Sequence, residues 1–265
     1  MTTPHSSPER SVVDRTLSIL AAFDADSRTL SLSDISRRCG LPVATVYRIV
    51  NKLHGWGALE RSADGGYSIG LRLWETACLA PRVSHFVEAA HPHLVALAQQ
   101  TSAAATIAIR DGRESLCLAS VSDDPHHHAA AGGGNLERRR VPLHATAVGL
   151  VLLAHADETA QQEALVPPLR AYTQATVTDV SEVRRGLVRV RREGHALLHG
   201  AYTPGRSGHA VPVRDARGTV VAALGVIGPP EIIQPGRTAP HLHAAAGAIA
   251  RGLRADGFTW TEMGA

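Results

Sequence analysis

Two groups of side chains between positions 44 and 56 separate cleanly on a helical wheel. The apolar group lies on one side and comprises Val46, Ile49, Val50, Leu53 and Trp56. The small and polar group lies on or beside the opposite face and comprises Ala44, Thr45, Tyr47, Arg48, Asn51 and Lys52. A helix that reads DNA needs an apolar face that docks on its own domain and a polar, cationic half that enters a major groove. The pattern therefore predicts a recognition helix.

Positive charge is concentrated around this helix. Between Ser33 and Ser62 there are five cations (Arg37, Arg38, Arg48, Lys52 and Arg61) and two acids (Asp34 and Glu60), so five minus two gives +3. Arg37 and Arg61 are placed to contact phosphates, which would set position rather than sequence preference. The predicted DNA-binding residues are Arg37, Thr45, Tyr47, Arg48, Asn51, Lys52 and Arg61. An ordinary amphipathic helix with a solvated charged face is the alternative.

Signals around this helix favour DNA binding over that alternative. Ser11 and Asp14 predict the capped start of a first helix, and a second helix runs from about Ser33 to Cys39. Gly40 suits a left-handed helix end, and Pro42 suits the first position of the third helix. Residues 58–62 and 67–69 are typical of two short strands around the tip 63–66. Helix, helix, tight turn, helix and hairpin make a winged helix-turn-helix.

Four other segments give weaker indications of a metal, phosphate, catalytic or DNA-binding site. His126, His127 and His128 are adjacent, so they do not converge easily on one ion, and no nearby cysteine or acid completes a set. Residues 132–134 are three glycines without the GK[ST] of a phosphate loop. Residues 205–209 (GRSGH) narrowly miss GxSxG and precede no helix. Arg138–Arg140 is typical of a solvated face. We predict no catalytic residues, no metal site and no cofactor.

The remainder of the chain predicts a second domain. Residues 71–80 and 82–100 are helical around Pro81 and form the predicted connector. Predicted strands then cover 104–110, 114–121, 195–199, 209–213 and 220–227, and predicted helices cover 145–155, 179–193 and 240–254. Sequential strands joined by hairpins favour an α+β domain on an antiparallel sheet. The predicted boundaries are a disordered 1–9, a winged helix-turn-helix at 10–70, a linker helix at 71–90, an effector domain at 91–258 and a tail at 259–265.

Bulk properties exclude several classes of protein. The chain has 265 residues, 44% of them hydrophobic, which suffices for two cores. A net charge of +3 is too small for a general polycation. Three widely spaced cysteines indicate free thiols in a reducing compartment. No stretch approaches the ~18 apolar residues of a membrane span, and residues 1–10 lack a signal-peptide core. The sequence predicts a cytoplasmic protein that does not bind membranes.

Several motifs, in order along the chain, resemble those of the IclR family of regulators. The N-terminal ones are SVVDRTLSIL at 11–20 and LSDISRRCGLPVATVYR at 32–48. The later ones are PLHATAVGLVLLA at 142–154, RREGHA at 191–196, AVPVRD at 210–215 and VAALGVIGP at 221–229. The resemblance covers roughly residues 10–255.

The resemblance implies a GAF-like effector domain, a homodimer or dimer of dimers, and a palindromic double-stranded DNA operator. It also implies control by a small organic metabolite, often a carboxylic or aromatic acid. The positions that match the family's pocket motifs are His144, Ala147, Val148, Arg206, Gly208, His209, Gly225 and Ile227. A helix that begins near Ala145 would offer N–H groups to an anion. A packing role is the alternative for each position, and for His144 a structural hydrogen bond.

The chain departs from the family pattern in places. Val43 and Ala44 replace a common Lys-Ser pair, which removes two contacts to DNA, and Leu150 stands where a Lys is frequent. In the last strand of the pocket, Gly225 and Ile227 stand at positions where relatives can have hydroxyl side chains. These changes predict a roomier and more apolar pocket with a larger, partly apolar ligand.

The sequence therefore predicts an effector-controlled, DNA-binding transcriptional regulator that is not an enzyme, with repression favoured. An activator of a catabolic operon and an enzyme fused to a DNA-binding module remain as alternatives; a third alternative, a module that uses the winged helix to bind protein, would show no salt-dependent affinity for DNA. The second would need a nucleophile and base in the C-terminal half.

Overall fold

The computed structural model describes residues 11–24, 27–79, 81–122 and 139–255. Contacts divide the chain into two compact units between Pro81 and Arg82. The predictions of a disordered 1–9 and a tail at 259–265 concern residues outside the described ranges. The histidines at 126–128 and the glycines at 132–134 are also outside them.

The first unit is the predicted winged helix-turn-helix. Its elements are α1 (Val12–Leu20), α2 (Leu32–Cys39), α3 (Val43–Trp56), β1 (Leu59–Arg61), β2 (Tyr67–Ile69) and α4 (Leu71–Cys78). Capping boxes begin α1 and α2, where Ser11 and Ser31 exchange hydrogen bonds with Asp14 and Asp34. Strands β1 and β2 form an antiparallel hairpin. Ile19, Ile35, Val46, Val50, Leu59 and Tyr67 are the centre of its core.

The second unit contains the larger sheet. Its helices are α5 (Pro81–Thr101), α6 (Ala147–Ala154), α7 (Glu158–Ala164), α8 (Val180–Glu193) and α9 (Pro235–Ala255). Its strands are β3 (Ala104–Asp111), β4 (Glu114–Val121), β5 (Arg140–Pro142), β6 (Ala196–His199), β7 (Ser207–Arg214) and β8 (Val220–Gly228). The order across the sheet is β5-β4-β3-β8-β7-β6, and every pair is antiparallel. The predicted α+β class is confirmed.

Alternation along the strands gives the sheet two buried faces, each covered by helices. Ile107, Val211 and Leu224 pack with α5 and α9. Ala108, Ala210 and Ala223 pack with α6 and α8 on the opposite face. We call the first the α5/α9 face and the second the α6/α8 face. Neighbouring residues of a strand therefore lie on opposite faces, and every second residue lies on the same face.

Some elements differ from the sequence prediction. The predicted connector includes Phe86 and Ala90, yet both are fully buried in the core of the second unit because α5 packs along the sheet. Helix α9 begins at Pro235 rather than Pro240, since Pro235 can occupy a first turn that needs no N–H donor. Pro42 is the residue before α3 rather than its first residue. Trp56 is 45% exposed, so its predicted place on the docked face of α3 is wrong.

Candidate functional site

Helix α3 presents its polar side to solvent. Val46 and Val50 are fully buried in the first unit, and Ile49 and Leu53 pack against that core. The exposed side chains are those of Ala44, Tyr47, Arg48, Asn51 and Lys52, and Thr45 is half-buried. The apolar stripe therefore docks the helix and leaves its cationic side accessible to a partner.

The turn between α2 and α3 fixes the angle of this surface. Gly40 takes a left-handed conformation with φ of 67°, and its N–H donates to the Ser36 carbonyl at 3.0 Å. The Ser36 hydroxyl donates to the Leu41 carbonyl at 2.6 Å. These two bonds satisfy the end of α2 and hold the chain as it enters α3.

The arginines of α2 have different surroundings. Arg37 pairs with Asp34 at 2.5 Å, and its side chain stays 76% exposed. The Ser31 hydroxyl and, secondarily, Arg37 lower the pKa of Asp34. Arg38 donates to the Ala22 carbonyl at 2.8 Å and pairs with Asp24 at 2.9 Å. Arg37 can therefore reach a phosphate, whereas Arg38 holds α2 against the end of α1.

Arg61, the remaining predicted contact, is exposed on the hairpin, and its guanidinium lies 5.7 Å from the Tyr67 ring centroid. Arg72 lies 4.6 Å from the Trp56 ring centroid and donates to the Trp56 carbonyl at 3.2 Å. This cation–π contact gives the half-exposed indole a partner from α4.

A mostly apolar cavity lies in the second unit between α6 and the sheet. The cavity has a volume of about 80 Å³ and is open to solvent on one side. It is concave and mostly apolar with a few polar groups, as small-molecule sites are. The lining residues include Thr106, Cys117, Val141, Ala145, Thr146, Ala147, Val148, Leu198, Ala201, Tyr202, Thr203, Arg206, Ser207, Gly208, His209, Gly225, Val226 and Ile227.

Helix α6 is held tightly over this cavity. All eight of its residues are buried. The hydroxyl of Thr146 caps the helix by accepting from the Gly149 N–H at 3.1 Å and donates to the Pro142 carbonyl at 2.8 Å. Two glycines of the sheet allow the close approach. A Cβ at Gly225 would lie 2.8 Å from Val148 Cγ1, and a Cβ at Gly208 would lie 3.3 Å from Ala147 Cβ.

The cavity brings together seven of the eight predicted effector residues. Ala147, Val148, Arg206, Gly208, His209, Gly225 and Ile227 line it. His144 is not among the lining residues, because its Nε2 bonds the Arg170 carbonyl at 3.0 Å and its ring lies 6.0 Å from that of Tyr172. This is the structural hydrogen bond that the sequence left as the alternative.

The imidazole of His209 points away from α6. Its parity on β7 places it on the α5/α9 face, where Nδ1 lies 2.6 Å from the Thr238 hydroxyl and Nε2 lies 3.1 Å from Nδ1 of His195. Burial, followed by the charges of His195 and His243, lowers the pKa of His209 to about 4. The ring is therefore neutral near pH 7, and its place in the site is through the strand backbone.

Polar lining residues outside the family motifs were missed by the sequence analysis. Thr106 Oγ1 lies 2.7 Å from Cys117 Sγ, and the Thr106 hydroxyl donates to the Ala119 carbonyl at 3.2 Å. Tyr202 lies 5.0 Å from Tyr172, ring to ring. Alternation along β3 indicates that Thr106 and Ile107 face opposite sides, but the sequence does not say which side holds the cavity.

Ser207 and His199 are neighbours in the second unit. Ser207 of GRSGH begins β7 instead of a strand-to-helix turn, and its hydroxyl lies 2.8 Å from His199 Nδ1. Within residues 11–24, 27–79, 81–122 and 139–255, no carboxylate hydrogen-bonds the His199 ring, so the pair lacks the group that orients a catalytic base. The same ranges hold no group of three or more metal-ligating side chains and no helix long and apolar enough to cross a membrane.

Two family models match the chain. One, described as "IclR helix-turn-helix domain", matches residues 12–63. The other, described as "Bacterial transcriptional regulator IclR C-terminal", matches residues 80–253. The matches coincide with the unit that carries the cationic helix and with the unit that carries the cavity.

Individual relatives agree with these matches. The chain is 29% identical to the HTH-type transcriptional regulator XynR of Escherichia coli, over 80% of this chain and 83% of XynR. It is 25% identical to the HTH-type transcriptional repressor AllR of Klebsiella pneumoniae, over 88% and 85% of the two chains. Among solved structures, an IclR homologue from Microbacterium hydrocarbonoxydans complexed with 4-hydroxybenzoate is 33% identical. It covers 92% of this chain and 100% of its own, with a TM-score of 0.84.

Proposed function

Because the chain belongs to the IclR family of bacterial transcriptional regulators, we propose that it represses transcription from a palindromic operator and is released by an aromatic carboxylic acid. Its relatives are regulators and not enzymes, and the unit homologous to their DNA-binding domain carries the cationic helix. The observation that carries the proposal is the pairing of that exposed helix with a mostly apolar cavity in a separate unit.

The exposed side of α3 supports a direct role in DNA reading. Arg48 and Asn51 are the side-chain types that bond guanine and adenine edges in the major groove. Lys52, Arg37 and Arg61 supply the charge for phosphates around that groove. We propose that the seven residues named from the sequence form the DNA contact, with Arg48 at its centre.

A palindromic operator calls for a two-fold symmetric dimer. The first unit carries large apolar side chains that are exposed in the single chain. On α1 these are Val12 (69%), Val13 (65%) and Leu17 (58%), and at α4 they are Leu71 (59%), Trp74 (51%) and Leu79 (78%). Exposed apolar groups of this size typically mark an interface. We propose that a second copy covers them, in a homodimer or a dimer of dimers.

The cavity supports an acid with an apolar body as the effector. Its walls are mostly apolar, and Arg206 supplies a cationic side chain for a carboxylate. A relative 33% identical to this chain was crystallised with 4-hydroxybenzoate, which has that chemistry. Repression, rather than activation, is proposed by analogy with the relative AllR, which is named a repressor.

Release from DNA requires the ligand to favour one arrangement of the dimer. A ligand shifts such an equilibrium only by the difference between its affinities for the two states. We propose that filling the cavity beneath α6 favours a spacing of the two recognition helices that no longer matches successive half-sites. Couplings of this kind are usually worth about 1–3 kcal/mol.

A mobility shift tests the proposal. The purified full-length protein is titrated onto the DNA upstream of its own gene, with a scrambled fragment of equal length as control, across a salt series. We expect a discrete complex on the upstream fragment, weakened by salt and by added aromatic acid. Equal weak binding to both fragments would refute the operator claim, and a specific complex that no aromatic acid weakens would refute the effector claim.

A further inference from the structure

The cavity beneath α6 is small for a ligand site. Its volume of about 80 Å³ is well below the roughly 300–1,000 Å³ of pockets that hold small organic molecules. One wall must therefore move before a ligand is enclosed. Helix α6 is fully buried and capped by Thr146, and β3, β8 and β7 are internal strands of the sheet. These walls are held by many contacts, which leaves the connection between β6 and β7.

This connection lies at the mouth of the cavity. We call residues 201–204 the flap, and three of them, Ala201, Tyr202 and Thr203, line the cavity. Most of the lining residues that keep some exposure lie on the flap or beside it: Leu198, Tyr202, Thr203, Arg206 and Gly208. Cys117 lines the opposite end, on β4, and is only 3% exposed. A molecule that enters from the flap side would therefore cross the cavity to reach Cys117.

Two glycines bound the flap. Gly200 and Gly205 take left-handed conformations with φ of 64° and 68°. The Gly200 N–H donates to the Arg206 carbonyl at 2.7 Å and closes the base of the flap. The last residue pair between β6 and β7 is His199 with Ser207, so both glycines lie beyond the paired strands. Hinges are residues of this kind, which absorb changes of φ and ψ while the strands stay in place.

Two threonine hydroxyls on a neighbouring segment hold the flap. Thr173 Oγ1 donates to the Gly200 carbonyl at 2.7 Å, and Thr176 Oγ1 donates to the Ala201 carbonyl at 2.7 Å. The Tyr172 ring adds a contact with the Tyr202 ring, with 5.0 Å between centroids. Neither threonine lines the cavity, so both act on the flap and not on a ligand.

This segment, residues 172–176, is the clasp, and it is itself anchored. Thr176 Oγ1 accepts from the N–H groups of Tyr172 and Thr173, both at 2.9 Å. Just before the clasp, the Arg170 carbonyl accepts from Nε2 of His144 at 3.0 Å. Because His144 precedes α6, the clasp joins the lead-in of α6 to the flap.

We propose that the flap is the gate of the cavity and that the hydroxyls of Thr173 and Thr176 hold it closed as positioning groups. The proposal rests on the proposed function in taking this cavity as the effector site, and it adds residues that control entry without touching the ligand. One neutral hydrogen bond changes an equilibrium by about 3- to 10-fold. Two such bonds keep the flap mostly closed and still allow it to open for a ligand.

Alkylation of Cys117 measures this opening without an effector. Full-length protein is treated with iodoacetamide, and peptide mass spectrometry follows the modification of each cysteine with time. Cys117 lines the cavity opposite the flap, so its thiol reacts when the flap opens. Cys39, which is buried in the core of the first unit, is the internal reference for unfolding of that unit.

Thr173→Val removes the hydroxyl that bonds the Gly200 carbonyl and keeps the shape of the side chain. We expect it to speed alkylation of Cys117 about 3- to 10-fold and to leave Cys39 unchanged. Thr173→Ser keeps the hydroxyl and should return the rate to that of the wild type. Thermal melting verifies that each variant folds, and Thr176→Val replaces Thr173→Val if the latter does not.

Thr101→Val is the matched control. The Thr101 hydroxyl also donates to a carbonyl at 2.7 Å, that of Leu97, but Thr101 lies on α5 and does not line the cavity. Its rate of Cys117 alkylation should stay within about twofold of that of the wild type. This control separates opening of the flap from a general loss of stability in the second unit.

Three results would overturn the proposal: an unchanged Cys117 rate in Thr173→Val, an equal acceleration in Thr101→Val, or a rate in Thr173→Ser as fast as in Thr173→Val. The operator complex tests the proposed function separately, because alkylation requires neither DNA nor an acid. If that complex forms and responds to an acid while the alkylation rates do not change, regulation stands and only the gate is wrong.

Discussion

Gly225→Ala would place a methyl group between the sheet and α6. The added Cβ would lie 2.8 Å from Val148 Cγ1, 3.3 Å from the His209 carbonyl oxygen and 3.4 Å from Ala210 Cβ. Favourable carbon–carbon contacts lie at about 3.5–4.0 Å, so the first contact is too short by roughly 0.7 Å or more. Because Val148 is buried and β-branched, relief requires either an unfavourable rotation of its χ1 angle or a movement of α6.

The magnitude follows from two opposing effects. Overpacking of a filled core costs about 1–3 kcal/mol. Replacing glycine by alanine restricts the unfolded chain, which offsets about 0.4–1 kcal/mol. The second unit should therefore lose about 1–2 kcal/mol of stability. Since the relief moves Val148, which lines the cavity, we expect effector affinity to fall by a similar free energy, about 5- to 30-fold.

The assay is calorimetric titration of 4-hydroxybenzoate into the wild type, Gly225→Ala and Gly186→Ala. Gly186→Ala is the matched control, because a Cβ at Gly186 on α8 would have no heavy atom within 4 Å and Gly186 does not line the cavity. We expect a change of no more than about threefold there, and operator binding should persist in both variants. Wild-type ligand affinity in Gly225→Ala would refute the assignment of this cavity as the effector site.

Three further predictions concern other residues. Arg48→Ala should weaken operator binding at least about tenfold in a mobility shift and leave the dimer intact by sedimentation. Arg185→Ala, at an exposed position on α8, should change neither operator binding nor the dimer, and an unchanged complex in Arg48→Ala would remove Arg48 from the interface. Arg38→Ala should lower the free energy of unfolding of the first unit by about 1–2 kcal/mol in urea, because it frees the Ala22 carbonyl and Asp24, and wild-type stability would contradict that role. The pKa of His209 is about 4 in the folded protein against about 6.5 in the unfolded chain, so only the unfolded chain is protonated between these values and the free energy of unfolding falls as the pH is lowered from about 6.5 to about 4. His209→Gln should make this fall shallower in urea unfolding curves measured across that range, and an equally steep fall would assign it to other groups.

The first unit could be predicted because its signals are local. The capping box of Ser31 and Asp34 marks the start of α2, and the left-handed Gly40 and Gly57 mark the ends of α2 and α3. Each feature spans four residues or fewer, so no long-range information is needed. Trp56 was misplaced because the helical wheel continues to the last residue of α3, where the docked face has ended and Arg72 becomes its partner.

The cavity was predictable only in part because it depends on strand parity and pairing. Family motifs identified Gly208 and Gly225, but the position of the His209 ring follows from which face of β7 meets α9. The Thr106–Cys117 contact depends on a bulge between Ile107 and Ala108, which shifts the register of β3 against β4. Such a shift involves residues about ten positions apart, and no local sequence pattern predicts it.

A nuclease footprint of the promoter fragment would show whether an aromatic acid controls specific DNA binding. The wild type is bound to the fragment at a fixed concentration, and 4-hydroxybenzoate is added in steps. We expect two protected half-sites of a palindrome, spaced by about one helical turn of DNA or a multiple of it, with protection lost as the acid is added. No protected palindrome, or protection that persists at saturating acid, would contradict it.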